Sequence, residues 1–380
     1  MGGNIIIPFV PCGCILGKNA GGLIGDMEGM MDKVTSLTRE PALNPEPLFE
    51  QIDRGMQGLI RIAALITASN RSFFDHLSTP RTPDELAHLT GCREEIVTPV
   101  CMVLEEMGCV TWYEGRYSST PLSLVFLARS SPYRQGAYLD KTWRHIRDLW
   151  MHLPDIIERG PVSYPAEVFF ATLSLPAMAE NALCGRLQRI TREIFMFPGF
   201  QSFRRMVDLG GGHGLYAIAC TVVNPDLHAW VFDMPHVLPL ASRFIREYEA
   251  TRVHTLGGNF FVDDFGRDYD LVFSSSNPSG KRIDMVPRIA KSLNPGGIFV
   301  NVQSTGREDM DLYQSLELEL WKIEGEEERK TGNTRVEPFM TDEYRVALMD
   351  AGLSILVEKD IKDDYHRDAF VRMIIAQKRM

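Results

Sequence analysis

The stretch VDLGGGHG, residues 207–214, sets a carboxylate, Asp208, just ahead of a turn in which Gly210, Gly212 and Gly214 recur at every second position. Glycines so placed free the backbone for positive φ and let it approach a ligand closely. A second carboxylate, Asp233 in FDMPHV, follows 25 residues after Asp208, where an acid ending the next strand can accept both hydroxyls of a ribose. The chemistry implied is the holding of a nucleoside-type cofactor. The competing reading is that the glycines serve tight strand-to-helix packing and Asp233 is a surface turn residue. Another polar stretch, DYDLVFSSSNPSGK at 268–281, runs from Leu271, Val272 and Phe273 straight into Ser274, Ser275, Ser276 and Asn277. Small polar groups ending an apolar strand suit the mouth of a site, holding a substrate carboxylate or carbonyl, with Ser274 against the cofactor. The alternative is a solvated loop capping the next helix.

The elements that must position these residues follow from periodicity. From Met206 onward, MVDLG, HAWVFDM, VHTLGG, DLVFS and GIFVNVQ alternate with helical runs, and SILVEKD and FVRMIIAQK come last. That alternation predicts an α/β sheet, mostly parallel. Upstream, Leu48, Phe49, Ile52, Met56, Leu59, Ile60, Ala63 and Ile66 recur at helical spacing. In TPDELAHL, Thr82 caps, Pro83 suits the first helical position and Glu85 completes a capping box. A second helix over 93–107 and the hairpin CVTWYEGRYSST complete a winged-helix pattern. Its second helix carries Glu94, Glu95, Glu105 and Glu106 against Arg93, a balance that repels phosphate and points to dimerisation or substrate shaping in place of DNA recognition. Residues 130–200 read as helices interrupted by prolines.

Composition bounds the rest. A chain of 380 residues exceeds one ordinary core and predicts two domains. With 44% hydrophobic and 24% charged residues it has the balance of a globular protein, and a net charge of −10 argues against general nucleic-acid binding. Seven scattered cysteines form no disulfide framework, so a reducing cytoplasm is expected. Cys12 and Cys14 lack partners at zinc spacing, and no metal site is expected. Cys92, Cys101, Cys109, Cys184 and Cys220 read as small core residues. The apolar start IIIPFVPCGCILG is too short to span a membrane, and residues 1–40 read as a flexible or extended arm.

The series PRTPDELAHLTG, PAMAE, VDLGGGHG, FDMPHV, GGNFF, LNPGG and MTDEYRVALMDAGL resembles, in that order, the class I S-adenosylmethionine-dependent methyltransferases. It is most similar to the small-molecule O-methyltransferases of the caffeate and hydroxyindole type, over about residues 45 to 378. The resemblance implies a Rossmann-like methyltransferase domain at 201–380 with a mostly parallel seven-stranded sheet, a winged-helix dimerisation domain at 41–128, and connecting helices at 129–200 lining the acceptor pocket. It implies S-adenosylmethionine as cofactor, with Asp208 among the cofactor-binding residues, the glycines at its methionine part, Asp233 at the ribose, Met234 packing on the adenine, and Asn259 with Phe260 reaching the adenine from the next strand. A homodimer acting on a small-molecule methyl acceptor follows, with no nucleic acid or membrane partner.

The chain departs from that family twice. Asn259 stands where the family has Asp, which keeps an amide carbonyl for the adenine but loses the charge. The family's His-Asp pair after the DLVF strand is replaced by SSSNPSGKR, in a loop that reads as shortened, and no histidine occurs between His254 and His366. A phenol of pKa about 10 is ionised to roughly one part in a thousand at pH 7, and a positioned base contributes about 10² to 10⁴-fold. The loss matters less for an acidic hydroxyl, a carboxylate, a thiolate or an electron-rich carbon. This favours an acceptor that arrives already nucleophilic. Ser276, Asn277 and His145, the last beside Trp143 in TWRHIRDLW, remain the catalytic candidates. Two other functions stay open: a relative performing C- or S-methylation or non-methylating chemistry, and a non-catalytic cofactor-sensing or DNA-binding regulator.

Overall fold

The computed structural model describes residues 39–165, 168–304, 312–324, 339–363 and 369–380. The expected N-terminal arm up to residue 38, with Cys12 and Cys14, and His366 lie outside them. The chain forms two compact units, residues 1–60 and 61–380. In the first, the described residues consist mainly of the opening turns of the helix Glu46–Asn70, on which Leu48, Phe49, Ile52 and Met56 are all more than half exposed.

In the second unit, the helix Pro83–Thr90 begins at a complete capping box: Glu85 N–H donates to Thr82 Oγ1, and Thr82 N–H donates to the Glu85 carboxylate at 3.0 Å. The helix Glu94–Glu106 follows, then the antiparallel hairpin β1 (Val110–Tyr113) and β2 (Arg116–Ser119). Its two-residue turn has positive φ at Glu114 and Gly115, as a tight hairpin requires.

The sheet that positions the site has seven strands among the described residues. They are β4 (Arg205–Leu209), β5 (His228–Asp233), β6 (Val253–Gly257), β7 (Tyr269–Ser275), β8 (Leu293–Ser304), β10 (Leu353–Asp363) and β11 (Ala369–Lys378), in the order β10-β11-β8-β7-β4-β5-β6. All neighbours are parallel except those of β11, which pairs antiparallel with both β8 and β10. The expectation of a mostly parallel seven-stranded sheet is met. Strand side chains alternate between two faces, and both are covered. Met206, Val231, Leu271 and Phe273 belong to one core with the helix Leu215–Val223. Val207, Phe232, Val272 and Phe299 belong to the other, with the helices Val286–Ser292 and Asp342–Asp350. Burial on both sides explains the unbroken apolar run of β7.

The chain winds outward from β4 through β5 to β6, then returns to the opposite side of β4 as β7. Ligands of open α/β sheets bind at such a reversal, beyond the carboxyl ends of the strands. There the turn after β4 meets the polar loop after β7.

Two features differ from the sequence reading. Within 130–200, read as helices interrupted by prolines, the chain also breaks at a glycine: Gly185, φ 124°, lies between Leu175–Asn181 and Leu187–Phe195. Only glycine adopts that φ freely. A small parallel pair, β3 (Val162–Tyr164) with β9 (Trp321–Ile323), arises from runs too short to signal a strand.

Candidate functional site

The turn after β4 has positive φ at Gly210, Gly212 and Gly214. Space is as restrictive as conformation. A Cβ on Gly210 would lie 2.8 Å from the Asn277 side chain, one on Gly211 would lie 2.7 Å from Asp208 Cγ, and one on Gly212 would lie 2.9 Å from Leu175 Cδ2. The turn is therefore clasped between the loop after β7, the end of β4 and the helix Leu175–Asn181.

Asp233, at the end of β5, closes onto this turn. Gly212 N–H donates to its Oδ2 at 2.9 Å and Met234 N–H donates to its Oδ1 at 2.7 Å. Burial raises its pKa despite both donors. Asp208 is 1% exposed, and its Oδ2 is buried with no hydrogen-bond partner. Burial first, and the Asp233 charge second, push its pKa up to about 8. Two carboxylates thus flank one glycine turn, the one with two N–H donors suited to carry the charge and the one without suited to carry the proton. An orphaned acid beside a turn with no room for side chains fits a ligand bearing a cation and hydroxyls.

Of the adenine candidates, Met234 and Phe260 are half-buried against the two cores. Asn259 differs from expectation: its side-chain carbonyl, foreseen for the adenine, accepts the Phe261 N–H at 3.0 Å, because the residue opens a turn whose first N–H groups need an acceptor.

The polar loop is built inward. Ser274, Ser279, Asn301 and Gln303 are all fully buried. Ser274 Oγ lies 2.9 Å from Ser279 Oγ and 3.2 Å from Asn277 Oδ1. Asn301 Nδ2 donates to Gly280 O and Tyr344 Oη, and Gln303 Nε2 donates to Asn301 Oδ1. Asn277 spends its amide on Leu209 O at 2.7 Å and its carbonyl on Ser279 N–H at 3.0 Å. The expectation that Ser274 touches the cofactor is corrected: it has no exposed face. Asn277 is a strut fixing the glycine turn. Ser276 is exposed, at φ 54°, and its Oγ accepts from Arg186 Nη2 at 2.6 Å.

His145 sits elsewhere, on the helix Gly136–Asp148. It is 7% exposed, with Nδ1 3.0 Å from Glu317 Oε1 on the helix Leu312–Glu319. The same carboxylate opposes the desolvation that lowers the pKa of Lys141.

Sequence reasoning passed over two histidines. His213, inside the glycine turn, is 6% exposed. Its Nδ1 accepts the Leu215 N–H at 3.1 Å, and burial, then Arg186, pull its pKa down to about 4. It is neutral at pH 7, its remaining proton on Nε2. His236, just after Met234, ends an aromatic series. Trp321 stacks on Phe169 at 4.5 Å, Phe169 meets Phe170 at 5.4 Å, and Phe170 lies 6.3 Å from His236. Trp321 Nε1 and His236 Nε2, at its two ends, are buried without partners. The signal was the position of these histidines within VDLGGGHG and FDMPHV.

Residues 178–332 match the O-methyltransferase domain model. An uncharacterized protein of Methanocaldococcus jannaschii is 27% identical over 339 residues, covering 86% of this chain and 90% of that one. Acetylserotonin O-methyltransferase of Macaca mulatta is 27% identical over 282 residues, 69% of this chain and 81% of the relative. Among solved structures, an O-methyltransferase family protein from Burkholderia thailandensis superposes with a TM-score of 0.64 at 21% identity, over 89% of this chain and 99% of that one. Human N-acetylserotonin methyltransferase in complex with SAM does so at 0.63 and 20% identity, over 90% of this chain and 100% of that one.

Proposed function

We propose that the chain, which matches the O-methyltransferase domain model over residues 178–332 and is similar to acetylserotonin O-methyltransferase, moves the methyl group of S-adenosylmethionine to a small organic acceptor. The observation that carries this reading is the bond from Gly212 N–H to Asp233 Oδ2. It joins the acid assigned to the ribose to the backbone assigned to the methionine part, and a carboxylate oxygen keeps a second lone pair for a hydroxyl. When bound, the cofactor supplies an electrophilic sulfonium methyl. Met234 and Phe260 offer apolar faces to the adenine.

The protein's task in such a displacement is to orient the acceptor and exclude water. The series from Trp321 to His236 supports a flat, apolar acceptor, with the orphaned Nε1 and Nε2 as hydrogen-bonding ends. Ser276 and Asn277 are spent on Arg186, Leu209 and Ser279 and offer no base. An acceptor that arrives ionised needs none. The 3.0 Å approach of Glu317 to His145 favours the other route. A carboxylate at Nδ1 favours the proton there, leaving the Nε2 lone pair to take one from a hydroxyl.

The exposed apolar residues at 48–60 support a homodimer, a second copy covering the stripe. Cys92, Cys101, Cys109 and Cys220 are free thiols, in keeping with a cytoplasmic location, and no helix of the described residues is long and apolar enough to cross a membrane.

The test is incubation with methyl-labelled S-adenosylmethionine and a metabolite extract, read by mass spectrometry. Labelled small molecules formed by wild-type protein and not by Asp233→Ala support the reading. Tight cofactor binding with no labelled product points to non-methylating chemistry or a sensor.

A further inference from the structure

The crossovers from β4 to β5 and from β5 to β6 place their helices, Leu215–Val223 and Leu238–Glu247, on the core that holds Met206 and Val231. The opposite face of β5 and β6 falls to the connection 258–268, which contains no helix. Phe260, Phe261 and Phe265 of that connection fill the carboxyl half of the face, beside Phe232. The amino half is left open. Register sets Arg205 beside His228 and Trp230 beside His254 there, and alternation along the strand puts His228 and Trp230 on one side of β5. Arg205, His228 and His254 are exposed and Trp230 is half-buried.

Their side chains form one stack. The His228 and His254 rings lie 5.9 Å apart with planes 6° from parallel, and Trp230 is 5.4 Å from His254. The Arg205 guanidinium lies over Trp230 at 4.5 Å and 5.5 Å from the Tyr269 ring. The neighbouring carboxylates are engaged elsewhere. Asp226 pairs with Arg204 at 3.3 Å, and Asp270 accepts the Arg204 and Arg205 N–H groups at 2.7 and 3.1 Å and the Asn294 amide at 2.8 Å. On a chain of net charge −10, the Arg205 guanidinium therefore has no carboxylate in ion-pair contact among the described residues. The two imidazoles lack a third ligand and make no metal site among those residues. Beside the stack runs a groove of about 540 Å³, lined by Arg204, Arg205, Pro225, Asp226, His228 and Trp230. That is the size of a small-molecule site, typically about 300 to 1,000 Å³, and far more than a lone phosphate ion needs. Arg205 begins β4 and Gly210 follows its end, so roughly 16 Å of strand separates the groove from the glycine turn.

We propose that this groove is a second ligand site, which takes a planar ring bearing a phosphate, of the nucleoside monophosphate class. Arg205, held flat on the indole, keeps its N–H edge for the phosphate. The ring extends the stack at His228 and Trp230, as bases do on aromatic side chains. The site stands independently of the cofactor reading, since none of its residues belongs to the glycine turn.

The test is titration calorimetry of the full chain with guanosine monophosphate, in saturating S-adenosylhomocysteine so that a nucleoside site at the glycine turn is already filled. One nucleotide per chain is expected. Guanosine and inorganic phosphate should each bind at least about tenfold more weakly, because each keeps only part of the contacts. Arg205→Gln, which retains a planar amide and loses the charge, should weaken the nucleotide roughly 10 to 150-fold and leave S-adenosylhomocysteine binding unchanged. His228→Ala should weaken it by about fivefold or more. Both side chains are exposed, so both variants should keep the wild-type circular dichroism. No nucleotide binding, equal affinity in Arg205→Gln, or phosphate bound as tightly as the nucleotide overturns the proposal.

Discussion

Asp233 bonds two backbone N–H groups and is assigned a third task at the ribose. Charge-assisted hydrogen bonds contribute about 1.5 to 3 kcal/mol, so Asp233→Ala is expected to weaken cofactor binding roughly 10 to 150-fold; unchanged affinity by calorimetry would remove it from the site. Once an acceptor is known, His145→Ala is expected to lower kcat by about 10² to 10⁴-fold, the usual contribution of a positioned base. A loss under about tenfold, with cofactor binding intact, would instead assign an acceptor that ionises unaided. Asp208 adds a pH dependence to stability. Its folded pKa lies above the unfolded value, from 3.8 to about 8, so the stability it contributes is full below about pH 4 and is lost as pH rises towards 8. For a single proton the slope approaches about 1.4 kcal/mol per pH unit. Asp233, raised as well, acts in the same direction. Urea unfolding of ligand-free protein from pH 5 to 7 should show the decline, and Asp208→Asn should flatten it. Both acids were legible in the sequence from their spacing around the glycines. The orphaned oxygen was not, since a missing partner is a property of packing.

The loop after β7 shows how far an element can be read from its residue types. SSSNPSG reads as the mouth of a site or as a solvated loop; the structure turns most of these polar groups towards one another. Which of these holds depends on Asn301 and Gln303 on β8 and Tyr344 on the helix Asp342–Asp350, and these lie tens of residues away. Ser274 and Ser279 thus stabilise the frame behind the glycine turn. Tyr344→Phe removes the hydroxyl that donates to Gly280 O and accepts from Asn301. Leaving a buried polar group unsatisfied costs about 1 to 3 kcal/mol, which urea unfolding should register. A stability equal to wild type would mean the network does not hold the loop. The capping box and hairpin turn were readable because their partners are two to three residues apart. The break at Gly185 was not, as an isolated glycine within a helical run is tolerated as often as it is used.

For the whole molecule, the order of strands and helices followed from hydrophobic period, and the sheet reversal places the glycine turn and polar loop side by side. Assembly is a separate question, because a stripe such as Leu48, Phe49, Ile52 and Met56 shows that cover is needed without showing its source. Sedimentation at micromolar concentration is expected to give twice the monomer mass of 42.9 kDa; a species at the monomer mass would contradict the dimer. The central claim is that this fold holds S-adenosylmethionine between the glycine turn and Asp233. Its most direct test is equilibrium binding of S-adenosylmethionine to wild-type protein and to Gly212→Val, whose side chain would meet Leu175 and whose φ of 53° disfavours a branched residue. The account predicts saturable binding at one site per chain in the wild type and at least a tenfold loss in the variant with its fold intact by circular dichroism. No binding to the wild type, or equal binding to both, would contradict it.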